Sequence, residues 1–466
     1  MRPTPFVLAA TALALSGCLM IPKYTRPDPP VPPSWPETAT AGGGAETAPL
    51  ATTVGWQVYF ADAQLRSVIE LALANNRDLR IAALNIEKAQ AVYRIQRGAL
   101  SPDIGVMASG QMYRVPKTMP ELGDPGTFRE YTVEAGVSSW ELDLFGRLRS
   151  LKAAALEQYL ATEQARSATQ IAIVGAVASG YLALAADEEH LALSRSILEA
   201  QTSSAALIQR SNELGVASDL DLREAQSQVD AARAGVATYL GAVATDRNAL
   251  DALVGAPVPA DLLPGGWSAV KGMPALSPGV PSEVLVRRPD IVAAEHQLKA
   301  ANANIGAARA TFFPRITLTG GGGSMSDELS KLLGTGSGTW TFTPQLIAPL
   351  FAGGSLKANL KAARVDREIA VAQYEKAIQQ AFAEVGDALA LRRTLVDARE
   401  AEELLVDHLG DAYRLSDARY QAGIDSYLAV LVSQRSLLAA RHGLVDMRLA
   451  EQANLVRLYK VLGGGA

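Results

Sequence analysis

One thiol and four imidazoles are the side chains of this 466-residue sequence best suited to covalent or metal chemistry. The thiol, Cys18, ends the stretch Leu15-Ser16-Gly17-Cys18, directly after an apolar run from Phe6 to Leu15 that Arg2 precedes. A cysteine at the end of such a run is not expected to be a buried structural residue. It is the only cysteine, so no disulfide can form within the chain. His190, His296, His408 and His442 are far apart in sequence, and none belongs to a metal-binding spacing such as HExxH. The glycine run Gly320 to Gly323 lacks a following Lys-Ser/Thr and is no phosphate loop. Scattered Ser and Asp residues compose no triad. The expectation is a protein that is not an enzyme and has no cofactor and no metal.

The elements around Cys18 set its address. Arg2 and the Phe6 to Leu15 run are the n-region and h-region of a secretory signal, too short to span a membrane, so residues 1–17 are expected to be removed. Leu15 to Cys18 resembles the lipobox of bacterial lipoproteins, which implies an N-acyl diglyceride on Cys18. Leu19 stands where an Asp would favour retention at the inner membrane, so the same resemblance implies sorting to the outer membrane. Residues 18–55 then read as a lipidated N-terminus and an extended tether, with Pro27, Pro29, Pro30, Pro32, Pro33 and Pro36 close together and no binding role expected.

Composition excludes some classes and favours others. A net charge of -5 without a long basic run argues against nucleic acid. Aromatic residues make up only 6% and Ala is abundant, which favours long, closely packed helices. The length exceeds what one compact core usually organises, so several domains or an elongated architecture are expected.

The chain is also written twice. Gly215, Ser218, Leu220, Gln226, Arg233, Leu250 and Gly255 recur 208 positions later as Gly423, Ser426, Leu428, Gln434, Arg441, Leu458 and Gly463. Asp78 and Pro102 return at Asp290 and Pro314, offset by 212, and Leu144-Phe145 as Leu350-Phe351, offset by 206. Repetition of a unit implies a wall of stacked copies rather than a lone pocket. The expected first repeat is 56–270, with helices near 62–99, 147–212 and 218–254 and strands near 103–113 and 131–143. The second is 271–466, with helices near 282–311, 354–421 and 425–462 and strands near 314–322 and 339–349.

The strand segments alternate partially, with Tyr131, Val133, Ala135 and Val137 on one face and Thr132, Glu134, Gly136 and Ser138 on the other. A small soluble antiparallel sheet and a membrane β-barrel segment both fit this pattern. In the second case open edges cannot face lipid, and the strands must close with those of other chains. The helices are clearer. No Pro interrupts Gly146 to Asn212, which would span roughly 100 Å. After Gly215, apolar residues Leu222, Ala225, Val229, Ala232, Val236, Tyr239 and Val243 recur every 3.5 residues on average, the seam of a left-handed coiled coil; Val430, Ser433, Leu437, Ala440, Leu444 and Met447 keep the register in the second copy.

Taken in order, several motifs carry a resemblance. They are Arg287-Arg288-Pro289-Asp290-Ile291 entering a helix, Phe312-Phe313-Pro314-Arg315-Ile316 entering a strand, and Leu346-Ile347-Ala348-Pro349-Leu350-Phe351 followed by Gly353-Gly354. Tyr420-Gln421-Ala422-Gly423 with Ser426-Tyr427-Leu428, and Tyr459-Lys460-Val461-Leu462-Gly463-Gly464-Gly465, complete them. The chain resembles the outer-membrane factor family, the TolC-like and OprM-like channels, within the lipoprotein (NodT-type) branch serving RND-type multidrug efflux. The fold this implies is mainly α with β and internally duplicated. Each protomer would give four strands to a shared twelve-stranded outer-membrane β-barrel and coiled-coil helices to a periplasmic α-barrel tunnel, with a mixed equatorial region.

The resemblance further implies a homotrimer in the outer membrane, opened by a periplasmic adaptor (membrane fusion) protein and an inner-membrane RND-type transporter. Leu428 and Arg435 match the family's gate positions. Val432 departs from a position where a carboxylate is common; the first repeat has Glu224 there, and Asp221 where the second has Ala429. The expected pore gate is therefore Leu220, Asp221, Glu224, Leu428 and Arg435, with any acidic ring on the first hairpin. Gly215, Ser218, Asp219, Gly423, Asp425 and Ser426 at the hairpin tips are the expected adaptor contacts. A protein-secretion duct of the same architecture, and a periplasmic coiled-coil lipoprotein without a barrel, are the alternatives.

Overall fold

The computed structural model describes residues 19–35, 54–118, 121, 124–274, 276–277 and 285–464. The expected signal peptide, Cys18 and the Pro36 end of the tether lie outside the described residues. The helices run α1 Trp56–Tyr59, α2 Ala63–Asn75, α3 Arg77–Gly98, α4 Arg147–Glu213, α5 Asp219–Val254, α6 Pro289–Ala310, α7 Ser355–Gln421 and α8 Tyr427–Val461. The strands are β1 Ile104–Val115, β2 Gly126–Leu142, β3 Arg315–Ser326 and β4 Gly338–Ile347. The chain is thus mainly helical with one four-stranded sheet. It divides into two compact units: residues 1–28, 85–163 and 293–374, and residues 29–84, 164–292 and 375–466.

The first unit holds the sheet, antiparallel throughout in the order β1-β2-β3-β4. Within this chain, β1 and β4 each pair on one side only, so two ladder edges are open. Ile104, Val106 and Met112 on β1 and Trp340, Phe342 and Leu346 on β4 are exposed in the single chain. Glycine sets the spacing at the centre of the sheet. A Cβ at Gly323 would sit 1.9 Å from the Val133 carbonyl oxygen, and one at Gly321 would strike the Glu134 side chain. That bare backbone lets Glu134 reach across β3, where the Thr341 hydroxyl on β4 donates to its Oε1 at 2.7 Å. Strands β2 and β3 outrun their expected ends, because loop-like glycines and polar residues there still pair in register, as Tyr131 does with Ser326. A register shift between Val137 and Trp140, with Ser139 at φ 55°, breaks the simple alternation expected along β2.

The N-terminal segment is not the unattached tether its prolines suggest. The Met20 carbonyl accepts from Arg309 at 3.3 Å, the Pro22 carbonyl from Asn302 at 2.8 Å, and Tyr24 and Arg26 both donate to Glu295. The strap runs antiparallel to α6. Six extended residues and fourteen helical ones each cover about 20 Å, so the partners stay in step along their length. Ile21 fills the groove over Gly306, where a Cβ would approach it to 2.7 Å. Pro-rich composition predicted reach; Tyr24, Arg26 and the surface of α6 supplied the attachment.

The second unit is built on a core of Tyr59, Phe60, Val68, Ile69, Tyr181, Leu250 and Tyr459. Tyr59 stacks on Tyr459 at 4.5 Å, and its hydroxyl donates to the Leu455 carbonyl at 2.9 Å. The helix expected over 62–99 is interrupted at Asn76, whose Oδ1 accepts from the Leu79 amide and starts α3 anew. Its amide group meanwhile donates to the Leu253 carbonyl at 2.7 Å. In the second half of the chain Arg288 does the corresponding task, donating to the Val461 carbonyl at 2.8 Å. The seam residues behave as their 3.5-residue spacing requires: Ala225 and Val243 on α5 and Val430, Leu437 and Ala440 on α8 are buried.

Candidate functional site

Two helix turns in the second unit carry the residues singled out for gating and partner contact. Between α4 and α5, the Gly215 amide donates to Asn212 and the Val216 amide to Ser211; between α7 and α8, Gly423 donates to Tyr420 and Ile424 to Arg419. Both pairs of bonds recur at the 208-residue offset. Gly215 and Gly423 take φ of 74° and 71°, the left-handed conformation that glycine adopts without a Cβ penalty.

Their caps differ. Ser218 and Asp221 form a capping box, the Ser218 hydroxyl accepting from the Asp221 amide at 3.1 Å while the Asp221 carboxylate accepts from the Ser218 amide at 3.0 Å. Ser426 caps no amide through its side chain, and the residue three positions on is Ala429. So the Asp221-for-Ala429 difference begins as a helix-cap difference. Asp219 accepts from Asn212 at 3.0 Å. Asp425 is held by Arg419, whose hydrogen bond keeps its carboxyl below the usual range.

Ile208 on α4, Ala225 on α5 and Tyr427, Val430 and Leu431 on α8 pack into one apolar cluster, which joins the two hairpins. Since Tyr427, Val430 and Leu431 point inward, Leu428, Val432 and Arg435 fall on the opposite face, at i, i+4 and i+7, and are exposed. Leu220 and Glu224 form a similar pair on α5, with Leu220 67% exposed. The Glu224 carboxylate makes no hydrogen bond or ion pair among the described residues, in contrast to those of Asp219, Asp221 and Asp425. It is the free carboxylate of the set.

A second cluster was invisible to sequence spacing. His190 and His442 meet Nδ1 to Nδ1 at 2.7 Å, and His190 Nε2 lies 3.1 Å from Asp446 Oδ1. Tyr239 stacks on both rings, at 4.8 and 5.3 Å. Burial first, and then His190, push the His442 imidazole below its usual pKa of 6.5. Nearby, burial raises the carboxyls of both Asp187 and Asp246. Among the described residues no group of three or more His, Cys, Asp or Glu could hold a metal. The arrangement is a proton-sharing joint between α4, α5 and α8.

The function of this architecture is read from the known proteins that the chain resembles. The probable efflux pump outer membrane protein TtgC of Pseudomonas putida is 46% identical over 458 residues, covering 98% of this chain and 95% of its own length. Outer membrane protein OprJ of Pseudomonas aeruginosa is 42% identical over 468 residues, covering 100% and 97%. Among solved structures, the open state of the MtrE outer membrane channel of Neisseria gonorrhoeae superposes with a TM-score of 0.87 at 36% identity, covering 96% of this chain and 98% of that one. The profile of the family described as "Outer membrane efflux protein" matches residues 68–256 and again 280–464. With both halves matched and relatives similar from end to end, the chain belongs to the outer membrane efflux protein family, a family of channels and not of enzymes.

Proposed function

We propose that this protein is the outer-membrane exit duct of a tripartite efflux pump, carrying drugs or other small toxic compounds from the periplasm to the outside. The observation that carries the reading is the four-stranded sheet with both edges open and apolar residues exposed on its end strands. A lone four-stranded sheet with open edges is not viable in lipid, whereas three copies joined edge to edge close twelve strands into a barrel. The likeness to efflux outer membrane proteins over nearly the whole length supports the same conclusion.

In this reading the protein is a homotrimer in the outer membrane with a periplasmic helical tunnel. Cys18 carries the acyl anchor and Leu19 permits outer-membrane sorting. Leu220, Glu224, Leu428 and Arg435 line the closed end of the tunnel, with Asp221 fixing the start of α5 beside them. Gly215, Ser218, Asp219, Gly423, Asp425 and Ser426 present the hairpin tips to a periplasmic adaptor, which links the duct to an RND-type inner-membrane transporter.

Deletion of the gene should raise intracellular accumulation of pump substrates, and wild-type protein should restore export while migrating as a heat-modifiable trimer in outer-membrane fractions. Unchanged accumulation, together with a soluble monomer, would overturn the duct. Complementation with Cys18→Ala separates the anchor's contribution from the barrel's.

A further inference from the structure

Where the N-terminal strap crosses the end of α6, it helps enclose about 310 Å³ of open cavity. Lys23 from the strap, Asn302 and Arg309 from α6, and Arg364, Arg367 and Glu368 from α7 line it. Pro22 and Ile305 complete the lining, and Ile305 belongs to a buried apolar cluster with Ala308 and Ala363. Four cations therefore face one carboxylate. Among the described residues none of the four is in an ion pair, in contrast to Arg26, Arg147, Arg149 and Arg315 of the same unit. The Nε of Arg367 is buried without any hydrogen-bond partner, and so is Asn302 Oδ1.

Such a cluster repels itself, and a buried guanidinium nitrogen left unpaired is destabilising. An anion with several acceptor oxygens would relieve both, since guanidinium groups match phosphate with paired hydrogen bonds.

The position of the cavity indicates which anion. Arg309 lies six residues before β3 begins at Arg315, and α7 begins eight residues after β4 ends at Ile347; those two strand ends pair with each other. The cavity thus belongs to the end of the sheet that opens toward the helices. At that end Leu350 and Phe351 are almost fully exposed, and Phe313, stacked on Phe145, is 40% exposed. Apolar and aromatic residues at the mouth of a membrane sheet mark the interfacial layer, where headgroup phosphates lie. Met20, bonded to Arg309, is two residues from Cys18.

We propose that the Lys23, Arg309, Arg364 and Arg367 cavity binds the headgroup phosphate of an anionic phospholipid in the periplasmic leaflet of the outer membrane. The lipid would neutralise the cluster and seat the trimer at a fixed depth. The proposal rests on the outer-membrane placement and not on what the duct exports, so failure of the export test leaves it standing.

The test uses the full-length trimer reconstituted in vesicles of phosphatidylethanolamine with or without phosphatidylglycerol, re-extracted, and weighed by native mass spectrometry. Wild type should retain phosphatidylglycerol at least about fivefold more than Arg364→Gln/Arg367→Gln, the loss expected when charge-assisted hydrogen bonds to phosphate are removed. The pair Lys357→Gln/Lys361→Gln, on the same helix but not lining the cavity, should retain as much as wild type. Equal retention by wild type and the arginine variant overturns the site, as does an equal loss in the lysine control. Displacement of the lipid by millimolar inorganic phosphate would make the ligand a free anion and overturn the lipid assignment. Should the double variant fail to assemble, the exposed Arg364→Gln alone gives the same reading.

Discussion

His190 and His442 are 252 positions apart, yet their rings share one short contact in which one nitrogen must donate and the other accept. Two protonated imidazoles cannot both donate across it. Because burial holds His442 below its ordinary pKa, the unfolded chain takes up a proton first as pH falls below 6.5, so folding stability declines from there downward through the folded value. Asp187 and Asp246 act with the opposite sign, since burial raises their carboxyls above 3.8 and their protonation relieves it at low pH. The thermal midpoint of wild type should therefore drop on the order of 3 °C between pH 7.5 and pH 5.5, whereas His442→Asn should flatten that dependence; a scan by circular dichroism decides. No local spacing announces this joint, because its partners are assembled by the packing of three helices. Asp221 and Ala429 were legible as a difference between repeats, but that the difference lies in a capping box became evident only with the Ser218 amide in view.

Among the elements, long helices and turns were the most readable. The absence of Pro and the left-handed glycines bounded α4 at Arg147–Glu213, close to the expected 147–212. Strand ends were less so, because glycine and polar residues signal loops by composition and still pair when neighbours supply the ladder. Least readable was the strap, whose prolines outweighed the information in Tyr24 and Arg26. Its clasp is electrostatic: burial alone would raise the Glu295 carboxyl, but hydrogen bonds from Arg26 and Lys299 hold it below the usual range. A depressed carboxyl adds stability above its unfolded pKa of about 4.3 and loses it as pH falls through the folded value. Glu295→Gln should release the strap at neutral pH, and tryptic cleavage after Lys23 should quicken by about five- to tenfold, as expected for weakening a charged hydrogen bond by ~1–1.5 kcal/mol. An unchanged cleavage rate would mean that Ile21 and the backbone bonds hold the strap without Glu295.

For the molecule as a whole, the doubling of the sequence foretold two matching hairpins, and the motif order foretold the family. How the assembled tunnel closes is a matter for conductance. Leu428 and Glu224 are exposed or unpartnered in the single chain, which is what a pore-facing residue requires, and a leucine ring resists wetting. Single-channel conductance in planar bilayers should rise severalfold with Leu428→Ala and, more modestly, with Glu224→Gln. No change in either variant would remove both residues from the constriction.

The strap also orders events in time. Its partners on α6 come 269 to 289 residues later in the chain, so the clasp cannot form until nearly two-thirds of the protein has been made and α6 has folded. Until α6 has been made and folded, residues 20–26 lack the side chains that hold them. If Cys18 is acylated as proposed, the segment that the modifying enzyme grasps is free while it is needed and becomes fixed once the second half arrives.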